Sequence, residues 1–380
     1  MICIEGATVY APHPLGKKNI YIAGEKIIGL SDQRPETFFD QVIPAEGLMA
    51  IPGLVDLHVH ITGGGGEAGM MSRSPELSLE TMIQAGVTTV GGLLGTDTVT
   101  RSLENLLGKA RALREEGVSA VIYTGGYDYP SPTLTGNIRR DIFLIQEVHG
   151  VKLSLADHRS SYPQAIEIER LLSDVRVAGM LRNKVLQLHL HIGDEEEKLS
   201  ALIDIATRRP QLSTHITATH LNRSEAVFED GLALVRAGGN MDISTGLSSD
   251  NLHADTLSAD EAVKRYVDLG LPLDQLTLSS DGNGSAAEYN ADGTVAAFKI
   301  SRLDSLLKTF QALVNKGYLS FSDALALVTA QPAKRLGLAY KGKLADNMDA
   351  DIVLLRKDLS LYGVIARGKL LYQADTYDAG

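Results

Sequence analysis

The chain has 380 residues, 44% of them hydrophobic, enough to bury a large core as one big domain or two smaller ones. Its net charge of −11 and the lack of any basic patch exclude nucleic acid as the expected partner, because neutralising phosphates takes clustered Lys and Arg. A single cysteine, Cys3, excludes an intrachain disulfide framework, and no apolar run approaches the ~20 residues that span a bilayer, so a cytoplasmic protein with no membrane partner is expected.

Residues 1–50 read as short strands separated by turn signals, "NIYIAGEKIIGL" being the clearest, with no long helical pattern. Residues 51–339 have a different rhythm. Eight β-rich runs, "GLVDLHVHI", "VTTVGGLLG", "VSAVIYTGGY", "VKLSLADH", "VLQLHLHIG", "THITATHLN", "NMDISTG" and "LTLSSDGNG", alternate with segments such as "NLLGKARALREEG", "NIRRDIFLIQEVHG" and "SADEAVKRYVDLG". In those segments apolar residues recur at helical spacing and a glycine supplies the stop. Eight strand–helix units predict an α/β domain built as a (β/α)8 TIM-like barrel, with a doubly wound sheet as the alternative. Residues 340–380 return to strand patterns in "ADIVLLR" and "YGVIARGKLLY". Both termini are therefore expected to combine in one small β-sandwich domain beside the barrel.

In such a barrel the chemistry sits where strands end, so the residues closing each run carry the functional reading. His58 and His60 lie on one face of the first strand because side chains alternate with period two. Lys152 opens the fourth run, His189 and His191 lie on the fifth, His220 ends the sixth and Asp281 ends the eighth. A lone strand histidine is more often a core residue than a ligand, but His58, His60, His191, His220 and Asp281 together offer the imidazole and carboxylate mixture that suits zinc or a similar divalent ion. His13, His149 and His253 are expected to be solvated, and His158, His189 and His215 to pack or to support the ligands.

The run of four glycines, Gly63 to Gly66, lets backbone approach a ligand closely and is followed at once by Glu67. Arg159 in "DHRS" and Arg223 in "HLNR" each follow a proposed metal strand, and a guanidinium fork matches a carboxylate. For all three charges the alternative is an ordinary solvated side chain, and Tyr127, closing the third run, reads equally well as packing.

"GLVDLHVH", "VKLSLADHRS", "LHLHIGD", "THLNR" and "SSDGNGS" together resemble the amidohydrolase superfamily, and in detail its isoaspartyl dipeptidases, over essentially the whole chain. The resemblance implies a binuclear centre of two Zn2+ ions per subunit, bridged by carbamylated Lys152 and a hydroxide. It places His58, His60 and Asp281 on one ion and His191 and His220 on the other. It also implies Asp281 as proton shuttle, Tyr127 as oxyanion stabiliser, and Gly65, Gly66, Glu67, Thr96, Arg159, Arg223 and Ser285 as contacts to a small dipeptide whose β-aspartyl bond is cleaved. Relatives of this kind assemble, so a homo-oligomer is expected. The competing readings are a cyclic-amide hydrolase of the dihydroorotase or hydantoinase type, which shares the metal centre, and a non-catalytic assembly protein, which retention of every ligand disfavours.

Overall fold

A computed structural model of the chain describes residues 1–33, 35, 38–247, 254–289 and 295–374, with side chains described outside 286–289 and 295–298. Eight parallel strands form its central sheet: β1 (Leu54–Val59), β2 (Val87–Gly92), β3 (Ser119–Gly125), β4 (Val148–Leu155), β5 (Gln187–Ile192), β6 (Ile216–Thr219), β7 (Asn240–Ser244) and β8 (Leu276–Ser279). They pair in chain order. The two ends of the series come back together where the His60 amide donates to the Gly282 carbonyl at 2.9 Å and Val59 bridges Gly282. The sheet is thus a nearly closed TIM-like barrel, as the alternation of strand and helix predicts.

Each strand divides its residues between two environments. On β5, Leu188, Leu190 and Ile192 join the large apolar cluster that the outer helices complete, while Gln187, His189 and His191 alternate with them on the opposite face. The helix Leu103–Glu116 shows why the outer layer forms. Leu103, Leu106, Ala110 and Leu113 recur at helical spacing and are buried; Ser102 caps the start by accepting from the Asn105 amide at 3.2 Å; Gly117, with φ 113°, ends it. The short helix Ala330–Arg335 packs against β1 and β8.

The chain ends meet in a second eight-stranded sheet, because Met49–Pro52 pairs antiparallel with Ile352–Leu355, matching Ile51 to Val353. Strands Ile2–Tyr10, Pro14–Ala23 and Lys26–Ser31 extend it on one side, Leu361–Ala366 and Lys369–Gln373 on the other, and Gln41–Pro44 pairs with Ile2–Tyr10 off the main path. Ile4, Val9, Ile20, Ile22, Ile352 and Ile365 form its own core, and Cys3 is buried beside Tyr21 and Phe39.

Two features depart from the expected pattern. An antiparallel hairpin, β9 (Ser285–Tyr289) and β10 (Val295–Ile300), follows β8 in a stretch to which the sequence reading assigns no element. The helix Ile138–Leu144 ends earlier than "NIRRDIFLIQEVHG" implies, and β4 begins at Val148. His149 therefore lies inside a strand and is buried rather than solvated, its Nδ1 2.5 Å from the Leu336 carbonyl. No helix among the described residues is long and apolar enough to cross a membrane.

Candidate active site

The strands deliver the expected side chains to one place. His58 and Lys152 lie within β1 and β4, His191 is the penultimate residue of β5, and His60, His220 and Asp281 follow the last residues of their strands. All except Asp281 are buried. His220 and Asp281 have φ of 65° and 52°, a left-handed backbone uncommon for residues with a side chain and frequent at functional sites. The rings of His58 and His220 lie 4.9 Å apart and those of His191 and His220 4.7 Å apart. Asp281 Oδ1 faces Nε2 of His58 at 3.3 Å and Nε2 of His60 at 3.2 Å, and nitrogen or oxygen atoms of His58, His220 and Asp281 converge within 4.8 Å of one another.

Burial sets the protonation here. It holds His58, His189, His191 and His220 well below the usual imidazole range, Lys152 adding to the effect on His58. It lowers Lys152 to about 7 against the pull of Asp281 and Asp242, so a large share of this amine is neutral near physiological pH. Burial pushes the Asp281 carboxyl up, but His60, His220 and Lys152 outweigh it and keep the group ionised below its ordinary value.

The donor set fits divalent metal. Lys152 Nζ and His60 Nδ1 are buried without a hydrogen-bond partner among the described residues, and Asp281 Oδ1 meets only the imidazole nitrogens already named, a costly arrangement for a protein interior unless something else satisfies them. Neutral imidazoles beside an ionised carboxylate are what zinc takes. His191 differs from the expected ligand set in one respect: both its nitrogens are already engaged, Nδ1 with the Tyr127 hydroxyl and Nε2 with Asp157 Oδ2, each at 2.8 Å.

Around these side chains lies a second layer, which apart from His189 the strand-end census passes over. His58 Nδ1 lies 2.8 Å from His189 Nε2, and His189 stacks on Tyr123, so His189 orients the His58 ring. His220 Nδ1 lies 2.6 Å from Ser244 Oγ. Asp56 accepts from the Ser280 hydroxyl and from the amides of His58 and Ser280, locking β1 to β8; burial raises it to about 7. Asp157 binds Arg159 through both carboxylate oxygens at 2.8 and 2.7 Å while also meeting His191. Its place in "DHRS" is the signal that could have marked it. His215 packs as expected, its Nδ1 2.7 Å from the Leu186 carbonyl, whereas His158 is exposed rather than packed. His253 falls outside the described residues.

The proposed substrate contacts surround the mouth. Glu67 pairs with Arg159 Nη1 at 3.4 Å. Arg223 donates to the Ile192 carbonyl at 2.8 Å and lies 4.0 Å from Asp157. Gly65, at φ 78°, is pressed against the Ser72 carbonyl and Ser285: a Cβ there would lie 2.1 and 2.8 Å from them. The amides of Gly63, Gly64 and Gly66 are already bonded within the loop, so of the four glycines only Gly65 has an N–H without a partner among the described residues. Thr96 is half-buried in the loop after β2, and its side chain bonds no described residue. Tyr127 is buried and its pKa is raised by that burial, so its phenol stays protonated.

A β-aspartyl dipeptidase from Fervidobacterium islandicum AW-1, solved with a β-Asp-Leu dipeptide, is 37% identical, with all of both chains covered and a TM-score of 0.88. A 5'-deoxyadenosine deaminase from Methanobrevibacter smithii is 23% identical over 89% of this chain and 80% of its own length. A dihydroorotase from Elusimicrobium minutum is 24% identical over 90% of this chain and 84% of its own. Residues 49–371 match the amidohydrolase family, and with the barrel, its convergent histidines and a full-length relative above 30% identity, the chain belongs to that family.

Proposed function

We propose that the chain hydrolyses β-aspartyl dipeptides to aspartate and a free amino acid, using two zinc ions held by His58, His60, His191, His220, Asp281 and carbamylated Lys152. The observation that carries this reading is the meeting of Glu67 and Arg159 above the histidine cluster, with Arg223 close by. Opposed charges at the mouth suit a zwitterion, whereas dihydroorotate has a carboxylate for the arginines but no ammonium group for Glu67. The likeness to a dipeptidase solved with β-Asp-Leu supports it.

A neutral Lys152 amine can capture carbon dioxide, and the resulting carboxylate would place a negative charge where the free amine now has no partner. Zinc held there supplies Lewis-acid polarisation of the amide carbonyl and a lowered pKa for water. The chain's own residues do the rest. Glu67 receives the free α-ammonium of the substrate, Arg159 and Arg223 receive carboxylate, and the Gly65 amide is an available donor. Asp281, ionised and at the centre of the imidazoles, takes the proton from the attacking water and passes it to the departing amine. Tyr127 presents a protonated hydroxyl to the developing oxyanion once it leaves His191.

The test is a panel of β-Asp-Leu, α-Asp-Leu and dihydroorotate on protein of measured zinc content. The proposal expects rapid cleavage of the first alone. Equal cleavage of both dipeptides, or fast ring opening of dihydroorotate, would sink it while leaving the metal centre standing.

A further inference from the structure

The glycine loop after His60 is held by side chains to which the proposed chemistry gives no role. The Gly64 amide donates to Ser74 Oγ at 2.7 Å and the Gly66 amide to Ser72 Oγ at 2.8 Å. The Ser74 hydroxyl donates onward to the Asn283 carbonyl at 2.6 Å, and the Asn283 side-chain amide donates to the carbonyls of His60 at 3.0 Å and Pro75 at 2.7 Å. One serine therefore joins the loop that carries Glu67 to the turn that carries Asp281 and Ser285.

Arg101 sits behind the same loop. It is only 5% exposed and forms no ion pair with a described residue, Asp97 and Glu76 acting on it only through space. Its Nη2 donates instead to the carbonyls of Gly64 at 3.2 Å and Ser74 at 2.9 Å, and its Nε has no partner among the described residues. A Cβ on Gly63 would lie 2.7 Å from Nη1, so the guanidinium occupies the room that glycine leaves. A buried cation that spends its donors on two loop carbonyls orders backbone rather than balancing charge.

We propose that Arg101 and Ser74 are positioning residues that fix the distance between Glu67 and Asp281, and thereby the choice of β- over α-linked aspartyl substrates. This rests on the dipeptidase reading. The two linkages differ by one methylene, a displacement of about 1.5 Å between the ammonium group and the scissile carbonyl. A site can read that difference only if its ammonium receptor is held more tightly than the displacement itself, and errors near 1 Å already cost on the order of 10²-fold in rate.

Arg101→Met, Arg101→Lys and Ser74→Ala in the full-length, zinc-loaded protein test this by hydrogen exchange and by kinetics on both linkages. Arg101→Met and Ser74→Ala should keep zinc content, exchange the amides of residues 64–67 at least tenfold faster, raise KM for β-Asp-Leu about tenfold with a smaller change in kcat, and narrow the β-to-α preference by a similar factor. Arg101→Lys should recover part of each effect, and Ser74→Ala carries the test alone if Arg101→Met does not fold. Wild-type exchange, KM and linkage preference in a folded variant would overturn the proposal. A wild-type protein inactive on β-Asp-Leu would defeat the dipeptidase reading instead, leaving the exchange rates to decide whether the loop is braced.

Discussion

Glu67 and Arg159 meet at 3.4 Å across the mouth of the barrel, from loops that follow β1 and β4. Both are partly exposed, at 26% and 22%, so the pair itself adds little to stability. Its chemical meaning lies in exchange. Arg159 keeps its bidentate pair with Asp157 and reaches Glu67 with Nη1 alone, so either group can trade the 3.4 Å contact for one end of a zwitterion.

Glu67→Gln should therefore lower kcat/KM for β-Asp-Leu by roughly 10- to 150-fold, the cost of a charge-assisted hydrogen bond of about 1.5–3 kcal/mol. Stability should change by under about 1 kcal/mol, and zinc content not at all. Steady-state kinetics with elemental analysis checks this, and unchanged kcat/KM would remove Glu67 from recognition of the ammonium group.

Lys152 leads to a second expectation, because it is a buried amine with no partner among the described residues. Lys152→Ala should lose most bound zinc and most activity, and a short carboxylic acid in the buffer should restore part of both by standing in for the missing carboxylate. Full zinc occupancy with normal turnover in the unsupplemented variant would contradict a bridging role.

The barrel is legible in the sequence because eight apolar runs alternate with helix-patterned segments, and because the period-two spacing of His58 and His60 puts both on one face of the first strand. The residues proposed to hold metal are legible as polar interruptions at or near the ends of those runs. The supporting layer is not: Ser72, Ser74 and Arg101 are ordinary loop residues whose importance arises only when the loops after β1, β2 and β8 converge. Asp157 also goes unremarked, since a carboxylate beside an arginine reads as a local pair until the fold adds His191. His149 is misread through a boundary error, the apolar run at Val151 hiding a strand that starts at Val148.

That buried His149 should show in the pH dependence of stability. Burial lowers its pKa to about 3, with Lys184 adding to the effect, against an ordinary value of 6.5. The unfolded chain thus binds a proton between these values that the folded chain refuses, so stability is full above about pH 6.5 and falls as pH drops towards 3. His149→Gln removes this titration. Between pH 7 and pH 5 the wild type should lose on the order of 2 kcal/mol more than the variant in urea unfolding. His58, His189, His191, His215 and His220 are lowered in the same direction but are common to both proteins, so parallel curves for the two would show that His149 is not the source.

Gly65 carries the last prediction, because it separates backbone placement from metal chemistry. Its φ of 78° is unfavourable for any side chain, and an added Cβ would lie 2.1 Å from the Ser72 carbonyl and 2.8 Å from Ser285. Neither neighbour can yield easily, since one contact is backbone and Ser285 begins the hairpin strand β9. Gly65→Ala must therefore push the loop away from the turn carrying Asp281, and the free Gly65 amide moves with it. The histidine cluster is built from strand ends and does not depend on this loop, so zinc content should stay at the wild-type value. A displacement near 1 Å at a substrate contact costs on the order of 10²-fold in rate. Gly65→Ala should lower kcat/KM for β-Asp-Leu by at least that factor while the metal remains bound, and wild-type kinetics in this variant would show that the substrate does not approach the glycine loop at all.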